Sequence, residues 1–278
     1  MTATTSLLKI SIVGAMVHIQ VSNETRLAFE TGLETELLMI GSCSTTHRLG
    51  EVVVRVARIH GDADITRRNA EAMSVEANVY RILGDHERIA VCRYLSPTSG
   101  MVALKFYKNG NLKDYVAAHG HSQLLKWAKQ MIQAIEFIHL KGVRHSDIKL
   151  SQWLVGSDLN VCLSDFNGCG YDAQPLIGIG SMKALSYESP SHFMPRDPFD
   201  DNTVKSDLFA LGSALYELEH GSSPLIDVTE EEVMEFFKQA DFPLVSSLTL
   251  GEIIMQCWQG HSDSASETLH AGSHLWLS

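Results

Sequence analysis

Several features that would mark an unusual protein are missing from this sequence. The five cysteines (Cys43, Cys92, Cys162, Cys169, Cys257) are scattered, odd in number and never spaced as CxxC. That argues against a disulfide framework and a zinc site, and suits a reducing, cytoplasmic compartment. Basic charge is in deficit, with 22 Lys and Arg against 33 Asp and Glu and a formal charge of -11. A surface that tracks a nucleic-acid backbone needs clustered cations, so nucleic acid is not expected as a partner. The neighbouring Arg67 and Arg68 read as a solvated helix face. Long apolar runs are absent as well. The best candidate, "SLLKISIVGAMVHIQV", is interrupted by Lys9 and His18 and falls short of the roughly 20 apolar residues that cross a bilayer. No positive stretch precedes it, as a signal peptide requires. It reads as one or two strands or an irregular extension, and no membrane partner is expected.

What is present is globular: 278 residues, 45% hydrophobic and 20% charged, enough for one large core or two lobes sharing a cleft. Residues 1–37 form an extension of unassigned role. "LLMIGSCSTTHRLGEVVVRVARI" (37–59) alternates around a Gly/Ser turn, a hairpin leading into a strand. "NAEAMSVEANVYRILG" (69–84) has helical spacing and a Gly84 stop. "AVCRYLSPTSGMVALKFY" (90–107) reads as two strands about "SPTSG". After "KNGN" the pattern turns helical. "LKDYVAAHG" comes first, then an amphipathic run with apolar positions 124, 125, 128, 131, 132, 135 and 138 on one stripe. "QWLVG" and "NVCLSDF" are short strands. "TVKSDLFALGSALYELEHG", "TEEEVMEFFKQ" with Thr229 as N-cap, and "TLGEIIMQCWQG" are helices. The expected fold is α+β, with a strand-rich part over 38–107 and a helical part over 108–278.

Taken singly, each polar motif has a bland explanation. "GSCS" is a turn, Arg55 a half-exposed strand residue, Lys149 and Gln152 loop residues, and Asp165 a turn residue before Asn-Gly. Their order carries the information. A Gly-containing hairpin, a helix with a central Glu, "KFYKNGNLKDYV", "HSDIK", "SDFNG" and "KSDLFALG" follow one another. This succession resembles a eukaryotic-type protein kinase from about Ile40 to about Trp258, and most resembles the divergent protein-kinase-like proteins of filamentous fungi. The resemblance implies a bilobal fold with a small strand-rich lobe and a larger helical one. It also implies ATP and Mg2+ as cofactors and Ser/Thr of a protein as the acceptor. Asp147 stands at the position that orients the acceptor hydroxyl, and Lys149 at the one that neutralises the γ-phosphate. Asp165 and Gln152 stand at the metal positions, and Asp207 at the one that holds the catalytic-loop backbone. Nucleotide contacts would come from Gly41, Arg55, Glu76, Lys105, Tyr107 and Leu154, with Leu104 guarding the back pocket. His145 and Phe166 would pack.

The departures are specific. The metal amide is Gln152 where the family has Asn. The strand cation is Arg55 where the family has Lys, and the two are not interchangeable at a tight site. The phosphate-loop glycines fall on Gly41, Cys43 and Thr46, so two are lost. Ser146 replaces the Arg that meets an activation-loop phosphate. Ser191 replaces a Glu whose distant Arg partner after "CW" is also missing, which reads as the loss of both members of a buried ion pair. Three activities therefore stand open: a Ser/Thr protein kinase, a pseudokinase that binds nucleotide or acts as a scaffold, and a small-molecule kinase. Lys149 and "KSDLFALG" speak against the last. Protein partner and oligomeric state are open too, as is whether the short C-terminal stretch leaves the helical part incomplete.

Overall fold

The computed structural model describes residues 5–12, 15–22, 36–96, 100–185, 188–197 and 199–276, the first two stretches by their backbone alone. The chain divides into two compact units, residues 1–86 with 90–106, and residues 87–89 with 107–278.

In the first unit, β1 (Thr5–Ile12) and β2 (Ala15–Ser22) pair antiparallel from Thr5–Ser22 to Ile12–Ala15. The remaining strands are β3 (Glu36–Ile40), β4 (Ser44–Leu49), β5 (Val52–Ala57), β6 (Cys92–Leu95) and β7 (Val102–Lys105). They form one antiparallel sheet in the order β3-β4-β5-β7-β6. Alternation sorts β5 into two faces. Val52, Val54 and Val56 join Leu49, Met101 and Ala103 in an apolar cluster. Arg55 falls on the opposite face and is nevertheless buried. The tip of the "SPTSG" turn, 97–99, lies outside the described residues.

Helix α1 runs Ala63–Leu83, six residues earlier than its apolar spacing alone suggests. The reason is a cap. Asp62 is extended, and its Oδ1 accepts from the amides of Asp64 (2.7 Å) and Ile65 (3.3 Å), satisfying donors the first turn leaves open. Arg67 lies on the exposed face with Asp64 and Glu71. Gly84 ends the helix at φ 64°, where a side chain would be strained.

The second unit is helical around two small strand pairs. Its helices are α2 (Leu112–His119), α3 (Leu124–Leu140), α4 (Val204–His220), α5 (Glu230–Lys238), α6 (Gly251–Trp258) and α7 (Ala265–Ala271). On α3, Ala128, Met131, Ile132, Ile135 and Ile138 are buried as the stripe predicts, but Leu124 and Leu125 are only half-buried. Trp127 and Ala134, off that stripe, are fully buried. Helices α4 and α5 open with reciprocal caps, Thr203 with Ser206 and Thr229 with Glu232. Cys257 and Trp258 are core, with Trp258 Nε1 donating to Ser213 Oγ at 3.0 Å. Helix α7 packs on α3, and Trp276 Nε1 donates to the Leu269 carbonyl, so the chain is ordered well past α6.

Helix α3 also sets the strand pairs in place. β9 (Trp153–Val155) pairs antiparallel with β10 (Val161–Leu163), and β8 (Val143–Arg144) with β11 (Gly170–Tyr171). The turn between β9 and β10 is gripped from α3. Trp127 Nε1 donates to the Leu159 carbonyl at 2.8 Å, Gln130 Nε2 to Asn160 Oδ1 at 2.7 Å, and the Val161 amide to Gln130 Oε1 at 2.9 Å. Trp127→Ala removes a fully buried ring and this bond, so urea unfolding should show a loss of about 3–5 kcal/mol. Trp127→Phe keeps most of the ring volume and should lose roughly 1–2 kcal/mol.

Candidate functional site

In the first unit, Arg55 on β5 meets Glu76 on α1. Arg55 Nη1 donates to Glu76 Oε1 at 2.6 Å, with the side chains 8% and 0% exposed. Arg55 Nη2 also donates to Ser44 Oγ at 3.4 Å. Position 55 is buried because its strand face is covered by α1, and Glu76 is the acid that α1 presents there. A charge so deeply buried needs a partner.

The β3–β4 connection is short. Gly41 and Cys43 lie in it, with the Gly41 amide donating to the Ser44 carbonyl at 2.8 Å and Arg58 Nη1 donating to the Gly41 carbonyl at 3.1 Å. Thr46, by contrast, is a ladder residue of β4 paired with Arg55. An extended strand position tolerates a Cβ, which is why threonine is accommodated there. Lys105 ends β7 opposite Val52 and Leu104 is buried beside it.

In the second unit, the two strand pairs carry two loops. Residues 145–152 link β8 to β9, and residues 164–169 link β10 to β11. The loops are stitched together. The Ser164 amide and hydroxyl both donate to the Gln152 carbonyl at 2.9 Å, and His145 Nε2 donates to the Ser164 carbonyl at 3.1 Å. His145 and Phe166 are wholly buried and in tilted ring contact at 5.4 Å.

Asp147 is the focus of the first loop. Lys149 Nζ donates to both its oxygens, at 2.9 and 2.8 Å, and Gln152 Nε2 donates to Oδ2 at 2.6 Å. Burial pushes the Asp147 carboxyl above its ordinary value. Lys149 and His145 oppose the rise, and the negative charge of Asp165 adds to it. Asp165 has φ 67° and accepts from Asn167 Nδ2 at 2.9 Å. A left-handed conformation in a non-glycine residue concentrates at functional sites. Leu154 is half-buried in β9 opposite Cys162, and Tyr107 is buried, its carbonyl accepting from the Gly110 amide.

The loop is anchored from α4. Asp207 is fully buried and accepts from the amides of His145 (Oδ2, 2.7 Å) and Ser146 (Oδ1, 2.9 Å), and from His139 Nε2 at 2.9 Å. Burial alone would raise its pKa. The His139 bond and charge, with the Ser146 amide and His145, overcome that and leave it below the ordinary carboxylate value. Ser146 itself stands at φ 66°.

As oxygen donors, the Asp165 carboxylate and the Gln152 amide fit a hard cation such as magnesium. Gln152 commits its nitrogen to Asp147, so the amide oxygen is the atom it can offer. Among the described residues no cluster of three His, Cys, Asp or Glu could hold a metal. None of their helices is long and apolar enough to cross a membrane.

Three partners had no signal in the sequence. His139 and Asn167 are polar residues without motif spacing. The third is a pair. Ser191 does lie in the short turn Pro190–His192, but the neighbouring segment is not without a buried ion pair. Glu188 and Arg196 form one, with side chains 1% and 7% exposed. That pair is made by other residues, three positions before Ser191 and five after it.

Removing the Asp207 carboxylate strands two buried amides and the strained Ser146 backbone. Asp207→Ala should lower unfolding free energy by about 3–5 kcal/mol in urea titration, and Asp207→Asn by less, since one oxygen acceptor survives.

Comparison with known proteins identifies the family. The family described as protein tyrosine and serine/threonine kinase matches residues 39–267. Serine/threonine-protein kinase pak-2 of Caenorhabditis elegans is 26% identical over 167 residues, 56% of this chain and 31% of that protein. Serine/threonine-protein kinase PDK1 of Cryptococcus neoformans var. grubii is 27% identical over 134 residues, 46% of this chain and 11% of that protein. Serine/threonine/tyrosine-protein kinase HT1 of Arabidopsis thaliana is 24% identical over 220 residues, 74% of this chain and 55% of that protein. The chain spans less than two thirds of the length of each of these relatives. With a strand-rich N-terminal sheet, a helical C-terminal region and the family matched over most of its length, this chain belongs to the protein tyrosine and serine/threonine kinases.

Proposed function

We propose that the chain transfers the γ-phosphoryl group of ATP to a Ser or Thr hydroxyl of a protein. The single observation that supports this most is the state of Asp147. Its carboxylate is held by Lys149 and Gln152 on a backbone pinned by Asp207. Phosphoryl transfer asks a protein mainly for position and charge. In this reading Asp147 orients the acceptor hydroxyl and takes its proton as the new O–P bond forms and the bond to the departing ADP breaks. The raised pKa of Asp147 makes it a better proton acceptor than an ordinary exposed carboxylate. Lys149, paired with Asp147, carries the positive charge that compensates negative charge on the transferring group. Asp165 and the Gln152 amide oxygen would hold magnesium, which when bound neutralises phosphate charge. Arg55, kept in place by Glu76, supplies a guanidinium for the α- and β-phosphates. Gly41, Lys105, Tyr107 and Leu154 complete the proposed nucleotide contacts.

The finer kinship with divergent fungal kinases, and a cytoplasmic setting, belong to the same reading. The Gln152 and Arg55 replacements support the first. The second is supported by five cysteines that are all thiols. A second reading, a nucleotide-binding scaffold with little catalysis, is favoured by the short β3–β4 connection with Gly41 as its one glycine.

Thermal-shift titration with ATP, with and without magnesium, followed by labelled-phosphate transfer to generic protein acceptors, separates the two. Ligand at 100 times its Kd should stabilise the fold by about 2.7 kcal/mol. Asp147→Asn should abolish transfer and keep the ATP shift, whereas Asp165→Ala should remove its magnesium dependence. Equal turnover by wild type and Asp147→Asn would remove the base assignment. Arg55→Lys should preserve or raise nucleotide affinity in the same titration, because an ammonium keeps the charge in a smaller volume. A loss of about tenfold or more would mean that the site is built around the guanidinium.

A further inference from the structure

Arg58 is the residue of the first unit through which the β3–β4 connection reaches helix α1. It stands one position past the end of β5, where the ladder with β4 closes on Ser44 opposite Ala57. Its amide extends that ladder by one bond, donating to the Cys43 carbonyl at 2.8 Å. Its side chain reaches the same connection, with Nη1 donating to the Gly41 carbonyl at 3.1 Å. Its carbonyl accepts from Asn69 Nδ2 of α1 at 2.7 Å. Asn69 is 6% exposed. Asparagine is a poor residue for a helix interior, and a buried amide needs a partner. The Arg58 carbonyl supplies one.

The connection itself is tight. The Gly41 amide donates to the Ser44 carbonyl at 2.8 Å, and a Cβ on Gly41 would stand 3.3 Å from that carbonyl oxygen. The Ser44 hydroxyl is buried and accepts from Arg55 Nη2 at 3.4 Å. Two cations therefore bear on one short connection. Arg58 holds it at Gly41, and Arg55 meets it at Ser44 while paired to Glu76 of α1. Cys43 stands where the family pattern has a glycine, which narrows the backbone freedom of the connection further.

We infer that Arg58 and Asn69 are positioning residues: together they tie the β3–β4 connection to α1 and hold it in the conformation that receives the phosphates of a nucleotide. This rests on the reading above in which Gly41 and Arg55 meet those phosphates. The physical argument is one of preorganisation. Loops between strands open at low free energy unless something closes them. The apparent Kd of a ligand grows as the binding-competent fraction falls. A connection already fixed at both Gly41 and Cys43 loses little freedom when the ligand arrives. Arg58 acts here through the loop, without touching the nucleotide.

The test uses the full chain with Arg58→Met, Arg58→Lys and Asn69→Leu. Arg67→Met, on the exposed face of α1, is the control. Arg58→Met deletes the bond to Gly41 and leaves both backbone bonds, whereas lysine can still donate to the same carbonyl. Three quantities are measured: hydrogen exchange of amides 41–44 without nucleotide, the Kd for ATP by thermal shift, and the KM for ATP against kcat with casein as acceptor. In Arg58→Met and Asn69→Leu, exchange over 41–44 should rise about tenfold while α1 amides stay protected. Kd and KM for ATP should rise about five- to tenfold, with kcat within about twofold of wild type. Arg58→Lys should stay within about threefold of wild type, and Arg67→Met should match it. Wild-type exchange in Arg58→Met and Asn69→Leu overturns the inference. A raised KM in that case marks direct contact between Arg58 and the nucleotide. Exchange that rises throughout α1 marks a general loss of fold and overturns it as well. If the wild-type chain binds ATP and transfers no phosphate, the transfer reading falls alone, and the Kd series still decides the positioning role. If it binds no ATP, the nucleotide reading falls and takes the positioning role with it.

Discussion

One buried carboxylate fixes the geometry on which the candidate site depends. Asp207 offers its two oxygens to the amides of two consecutive residues, His145 and Ser146. Ser146 itself stands at φ 66°, in the left-handed region that favours glycine. That strain persists because the surroundings over-determine it. The charge survives burial because three donors converge on it, the two amides and His139. The next residue along is Asp147, whose direction follows from the pinned turn before it.

The same logic of paired burial recurs at three further positions. Lys149 and Gln152 hold Asp147, Glu76 holds Arg55, and Arg196 holds Glu188. Each is a charge that would be costly alone and is tolerable in company. The consequence for Asp147 is chemical. Burial and the Asp165 charge raise its proton affinity, while Lys149 and His145 keep the rise in check. An acid in that balance can be ionised and still accept a proton, as a general base must.

How much of this was legible in the sequence differs by physical origin. Helices α4 and α5 were readable because their signals are local: Thr203 and Thr229 cap within one turn, and apolar spacing is periodic. The Arg55–Glu76 pair was readable only through family order, since 21 residues separate the partners and no local rule joins them. Helix α1 was placed too late because its start is set by the Asp62 carboxylate, not by apolar periodicity. Trp127 escaped the stripe because its burial serves the turn around Leu159, a contact 32 residues away. The Glu188–Arg196 pair had no signal of either kind. It depends on how an irregular segment folds back, and neither spacing nor composition encodes that.

Three departures from the family pattern each meet a specific contact within their own unit. Here the cation at position 55 has changed identity and yet meets Glu76 in full burial. The amide at position 152 is one methylene longer and still reaches Asp147 at 2.6 Å. Thr46 stands where a glycine was expected and takes part in an ordinary ladder opposite Arg55. Each change has a compensating contact next to it. Such contacts keep Asp147 with its lysine in the second unit, and the strand cation with Glu76 in the first, each in a defined position within its own unit.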